Sequence, residues 1–170
     1  MRPIAGLILR NWPALALAIS IVVLAGAYAF QVFGGLQPCE LCHLQREVYF
    51  IAIPVAALAL VSSRLDQLKT FAPWLGAVLA IIFLGGALIA GYHAGVEWHW
   101  WPGPQACTGG AGPVSAAALG RLMRGGRFNI PRCDEAAWRL LGISMAGWNT
   151  LISAGLAAWT AAWVARERKA

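Results

Sequence analysis

The chain has 170 residues, 59% of them hydrophobic and only 12% charged, against about 25% charged in soluble proteins. One core of this size cannot hide so much apolar side chain, so an ordinary soluble domain is excluded and lipid must be the solvent for much of it. The formal net charge of +6 does not mark a nucleic-acid binder, because the basic residues fall between apolar stretches and in one long loop rather than in a stripe interleaved with aromatics.

The first apolar stretch, 12–33, is an uncharged run of 22 residues, long enough to cross a hydrocarbon core of about 30 Å. Arg2, Arg10 and the Ala27-Tyr28-Ala29 triplet also resemble a secretory leader and its cleavage site. A run continuing to Phe33 exceeds the ~7–15-residue apolar region of such leaders, so the segment is read as a retained helix. A loop, 34–43, follows and holds Cys39 and Cys42.

The second span is expected over 44–62; its apolar part, 48–61, is short, so the helix must begin earlier, near His43 to Arg46. A third span, 71–92, is rich in Gly and Ala, which suits close helix packing. The long loop 93–141 then carries Cys107 and Cys133, and 142–165 forms the fourth span. Within that loop, 114–124 reads as a short interfacial helix, with Val114, Ala118, Leu119 and Leu122 toward lipid and Arg121 and Arg124 toward headgroups. Lipid offers no partner to unpaired backbone groups, so the spans must be helical. The expected fold is an all-α integral membrane four-helix bundle with two exposed loops, forming one domain.

An even number of spans puts both termini on one side, with Arg2, Arg10, Arg64, Lys69, Arg166, Arg168 and Lys169 close to span ends. The other side carries Arg46, Arg121, Arg124, Arg127, Arg132 and Arg139, four of them deep in the long loop where the positive-inside rule weakens. This favours cytoplasmic termini and periplasmic loops. Trp12, Trp74, Trp98, Trp100, Trp101, Trp138 and Trp163 are read as interfacial anchors.

All four cysteines fall in the two exposed loops, which points to a disulfide-permissive compartment such as the periplasm. Cys39-Glu40-Leu41-Cys42 has the spacing of a redox dithiol, follows Pro38 and leads straight into the second span. A helix starting there places both sulfurs in its first turns, where the helix N-terminus favours thiolate. Arg46, one turn beyond Cys42, has two readings: a cation that stabilises the Cys42 thiolate and binds a quinone carbonyl, or an arginine snorkelling to headgroups. Cys107 and Cys133 enclose 25 residues; joining them would stabilise the loop by roughly 3–4 kcal/mol in the chain-entropy model. A static staple is one reading, and the pliable Gly109, Gly110, Gly112, Gly125 and Gly126 suit a bridge that opens and re-pairs.

Cys39-Glu40-Leu41-Cys42-His43 also satisfies the c-type haem attachment pattern, which would make the chain a membrane-anchored cytochrome. A short loop abutting the membrane cannot build a haem pocket, and Cys107 and Cys133 would have no role. A zinc site using Cys39, Cys42 and His43 lacks close ligand spacing in the second pair, so no metal is expected.

Cys39-Glu40-Leu41-Cys42 followed by Arg46 resembles the active segment of the DsbB family of disulfide-generating membrane oxidoreductases. Gly91-Tyr92-His93-Ala94-Gly95-Val96-Glu97, then Trp100-Trp101-Pro102-Gly103-Pro104 and Cys107, is similar to that family's entry into its second loop, and Cys133 completes the pattern. With the four spans, the resemblance covers essentially the whole chain. It implies a relay in the bacterial inner membrane. A reduced periplasmic DsbA-like thioredoxin-fold protein attacks a Cys107–Cys133 disulfide at Cys107; Cys133 exchanges with Cys39; and Cys42 faces the quinone, ubiquinone or menaquinone. By the same resemblance Arg46 positions the quinone, and His93 and His99 are pocket candidates, His99 reading better as an interfacial polar residue. Glu97 is given no specific role.

Overall fold

The computed structural model describes residues 11–104 and 132–169. Four helices dominate: α1 (Trp12–Val32), α2 (Glu40–Arg64), α3 (Ala72–Glu97) and α4 (Met145–Glu167). A 3-10 helix, Asp66–Phe71, joins α2 to α3, and a hairpin of two-residue strands, β1 (Arg139–Leu140) and β2 (Ile143–Ser144), precedes α4. The chain is thus an all-α bundle, and α1, α2 and the run Asp66–Glu97 are long and apolar enough to cross a membrane. The fourth helix is comparable in length, but Asn149, Thr150, Ser153 and Thr160 make it more polar.

Local chemistry sets the helix ends. Pro13 and Pro73 occupy the first turns of α1 and α3, where a missing N–H is not needed. Cys39 caps α2 in extended conformation, its sulfur accepting the Cys42 N–H. This helix therefore begins at Glu40, ahead of the boundary expected at 44, and runs to Arg64 rather than 62. Leu141 and Gly142, at φ of 53° and 81°, form the two-residue turn of the hairpin, whose register pairs Arg139 with Ser144. Positive φ at both central residues is what a tight type I′ turn requires. Ser144 then caps α4 by accepting the Gly147 N–H at 3.1 Å, so α4 spans Met145–Glu167 where 142–165 was expected.

The largest revision is at α3, which continues to Glu97; residues 93–97, expected in the loop, are helical because His93, Ala94, Gly95, Val96 and Glu97 are buried. The loop beyond it was expected to hold an interfacial helix at 114–124, which lies outside the described residues, as does Cys107.

Helices α3 and α4 form the most extensive pair, and α1 leans mainly on α2. Small residues permit the close approaches: a Cβ on Gly76 would stand 2.5 Å from the Trp163 ring, and one on Gly86 would stand 2.9 Å from Val48. Trp12 and Trp163, expected in the interfacial belt, are buried in the bundle at 5% and 1% exposure. The Trp12 indole donates to Thr160 Oγ1 at 2.9 Å, which satisfies its N–H away from water. Trp74, Trp98, Trp100 and Trp101 are exposed.

Candidate redox site

The sulfurs gather where the N-termini of α2 and α4 meet the C-terminus of α3. As the cap of α2, Cys39 places its sulfur over the first-turn amides, 3.4 Å from the Cys42 nitrogen. One turn on, the Cys42 sulfur stands 3.0 Å from it and accepts the Cys39 S–H. Both cysteines are free thiols. The Cys42 hydrogen bond, then burial, push the Cys39 thiol up from its ordinary range. Of the two sulfurs, Cys42 is therefore the one suited to carry negative charge.

Cys133 arrives from the second loop, fully buried and disulfide-bonded. Arg132 clasps Asp134 with two hydrogen bonds, of 3.0 and 2.7 Å, bracing the backbone on both sides of it. The sulfurs of Cys39 and Cys133 and a ring nitrogen of His93 lie within 4.8 Å of one another. A sulfur already in a disulfide has no thiolate to offer a metal ion. Cys39 Sγ is 3.7 Å from His93 Nε2.

Arg46 reaches across to the last turns of α1, donating to Gln31 Oε1 and, at 3.0 Å, to the Ala27 carbonyl. Its guanidinium lies 4.7 Å from the centroid of the Tyr28 ring. It is thus tied to the last turns of α1. A cavity of about 310 Å³ opens beside it, lined by Cys39, Cys42, Arg46 and His93 together with apolar side chains such as Val23, Leu24 and Ile152. Phe30 and Trp138, 5.1 Å apart between centroids, close one side. His99 is exposed and does not line it. His43 is exposed on α2, while Cys39 is buried beside His93 and Cys133.

Four site residues escape a reading of cysteine spacing. Gln45 and Tyr49 on α2 and Asn149 and Ser153 on α4 form a buried polar chain that ends on the His93 ring. Their signal in the sequence is helical spacing: both pairs stand four residues apart, so each shares one face of its helix. Glu97 is 6% exposed, lies 3.9 Å from His93 Nε2 and lines the same cavity. Its Oε2 is the one buried side-chain oxygen or nitrogen among the described residues with no hydrogen-bond partner.

The family model described as "Disulfide bond formation protein DsbB" matches residues 9–163. Disulfide bond formation protein B 2 of Pseudomonas entomophila is 31% identical over 163 residues, covering 94% of this chain and 93% of that protein. Disulfide bond formation protein B of Methylococcus capsulatus is 32% identical, covering 81% and 83%, and that of Hahella chejuensis is 30% identical, covering 84% and 86%. No solved structure matches the chain.

Proposed function

This chain belongs to the DsbB family of disulfide bond formation proteins, and on that premise we propose that it is a quinone-dependent thiol oxidase that reoxidises a periplasmic DsbA-like dithiol protein. A multi-pass membrane oxidoreductase that forms disulfides is the shared ground; the electron donor and acceptor are the proposal. The bundle would sit in the bacterial inner membrane with both termini cytoplasmic and α4 as a fourth span, since its 23 residues reach about 34 Å at 1.5 Å per residue.

In this reading the partner's thiolate attacks Cys107 of a Cys107–Cys133 disulfide. A partner–Cys107 bond forms, and Cys133 leaves with the electron pair. Cys133 then attacks Cys39 of an oxidised Cys39–Cys42 pair and Cys42 leaves as thiolate, while the partner's second thiolate displaces Cys107 and closes the partner's disulfide. A quinone, when bound, supplies an acceptor for two electrons and two protons. The cavity suits such a group: apolar side chains line it together with Arg46 and the dithiol, so a ring with polar oxygens would meet a cation there. Arg46 would hold a quinone oxygen, and His93 would border the same end.

The observation that carries the proposal is the proximity of Cys133 to Cys39, with Cys42 3.0 Å from Cys39 and lining the same cavity as Arg46. Two sulfurs at the start of α2 and one from the second loop lie close together, which supports the relay. The test uses the full chain in lipid discs with a reduced thioredoxin-fold dithiol protein. Oxidation of that protein should require ubiquinone or menaquinone, and undiminished turnover without quinone would overturn the reading. With Cys133 replaced by Ser and the partner supplied instead in its disulfide form, the Cys107 thiolate should attack that disulfide and a covalent adduct should accumulate at Cys107.

A further inference from the structure

The buried polar chain decides which nitrogen of His93 carries a proton. Gln45, 8% exposed, places its amide nitrogen 3.2 Å from the Leu41 carbonyl and 2.8 Å from His93 Nδ1. A carbonyl only accepts, so the atom facing it is the amide nitrogen and the side chain has one orientation. Its second N–H points at His93 Nδ1, which must therefore offer a lone pair. A neutral imidazole has a single N–H, and it is left to Nε2.

The orientation is held from behind. Gln45 Oε1 accepts from Asn149 Nδ2 at 2.7 Å, Asn149 Oδ1 accepts the Tyr49 hydroxyl, and Tyr49 is 3.1 Å from Ser153 Oγ. Turning the Asn149 amide over would break two of these bonds and turning Gln45 over would break three, and a buried polar group left unpaired costs about 1–3 kcal/mol. In front of the ring, Nε2 faces the Cys39 sulfur at 3.7 Å and Glu97 Oε1 at 3.9 Å, and the ring also hydrogen-bonds the backbone of Cys133, so its N–H lies between the two exchanging residues. The titratable neighbours are Cys39 and Cys42 from α2 and Glu97 from α3. Arg46 acts on Cys42 and Arg139 on Glu97, and Cys133 is tied in its disulfide.

We propose that Gln45 and Asn149 are positioning residues that lock His93 as a hydrogen-bond donor toward the exchanging sulfurs. With no lone pair facing Cys39, the ring cannot take the Cys39 proton, and the S–H turns to Cys42, as the geometry has it. During exchange the fixed N–H stands beside the charge passing from Cys133 to Cys42 across Cys39. The inference rests on the reading that Cys39 exchanges with Cys133.

The test combines two measurements on the full-length protein in lipid discs, neither needing quinone or partner. Nitrogen-15 spectra of labelled histidine, assigned with His93→Asn, should show His93 with an unprotonated Nδ1 and a protonated Nε2. Gln45→Glu should place a proton on Nδ1, and Asn149→Leu should give a mixture of tautomers. In a Cys42→Ser background, Cys39 should alkylate at neutral pH about tenfold faster with Gln45→Glu than with Gln45. A proton on Nδ1 in the unsubstituted protein, an unchanged tautomer in both Gln45→Glu and Asn149→Leu, or an unchanged alkylation rate would overturn the inference. Quinone-independent turnover with the stated tautomer would instead sink the functional reading and leave the lock standing.

Discussion

Cys39 both caps the helix that carries Cys42 and hydrogen-bonds its sulfur, at 3.4 Å to the backbone nitrogen and 3.0 Å to the thiol. Structure and reactivity are therefore joined in one side chain. Cys39→Ser keeps a capping acceptor and Cys39→Ala does not. Both should abolish disulfide formation, while the Ala variant should be less stable than the Ser variant by about 1 kcal/mol. Denaturant titration in detergent would check this, and equal stabilities would show that the cap contributes nothing.

The raised Cys39 thiol gives a pH signature. Its hydrogen bond to Cys42 and its burial favour the protonated form, so its thiolate appears only above the ordinary thiol range near about 8.5. Limited alkylation of the reduced protein at neutral pH should modify Cys42 first, as read by peptide mass mapping. The linked stability has the same sign. It is fully present below the unfolded thiol's pKa and is lost as pH rises through the higher folded value. The reduced form should thus lose stability in alkali relative to the Cys39–Cys42 disulfide form.

Arg46 binds two groups of α1 with a forked guanidinium, a geometry that lysine cannot copy. Under the proposed function, Arg46→Lys should raise the apparent KM for quinone about tenfold or more. Exchange between Cys133 and Cys39, followed by acid trapping without quinone, should persist. Loss of that exchange with an unchanged quinone KM would assign Arg46 to the sulfurs alone.

Gly76 tests the packing of α3 on α4. An added Cβ would meet Trp163 and Val164 at 2.5 and 2.6 Å, whereas one on Gly85 meets nothing within 4 Å. Gly76→Ala should destabilise by about 1–3 kcal/mol through overpacking. Gly85→Ala should be neutral or slightly stabilising, since it restricts the unfolded chain. Melting temperatures in one detergent decide the comparison.

The Trp12–Thr160 hydrogen bond closes the opposite end of the bundle. Thr160→Val should leave the Trp12 N–H unpaired at about 1–3 kcal/mol, and Trp12→Phe in the same background should recover part of it. A double-mutant cycle reads the coupling directly.

The helices, the dithiol and its cation were legible because each rests on a local pattern: uncharged length for α1, an i, i+3 pair of cysteines, and Arg46 one turn later. What was not legible depends on which way a helix faces. His93 and Glu97 read as loop because the apolar run fades near Tyr92, yet α3 continues because its last turn is covered by Cys133 and its neighbours. Trp12 and Trp163 carry the composition of an interfacial belt, and only the packing of α3 and α4 turns them inward. Gln45, Tyr49, Asn149 and Ser153 looked like scattered polar residues until the helices were placed side by side.

Those inward polar residues also fix each helix about its own axis. Lipid tails reward no particular rotation of an apolar cylinder, because every face is equally oily. With Ser20, Gln45, Ser153 and Thr160 all buried, turning α2 or α4 by a single residue, about 100°, would carry a hydrogen-bonding group away from its partners. Like the teeth of a key, they admit one angular setting, and at that setting the sulfurs meet.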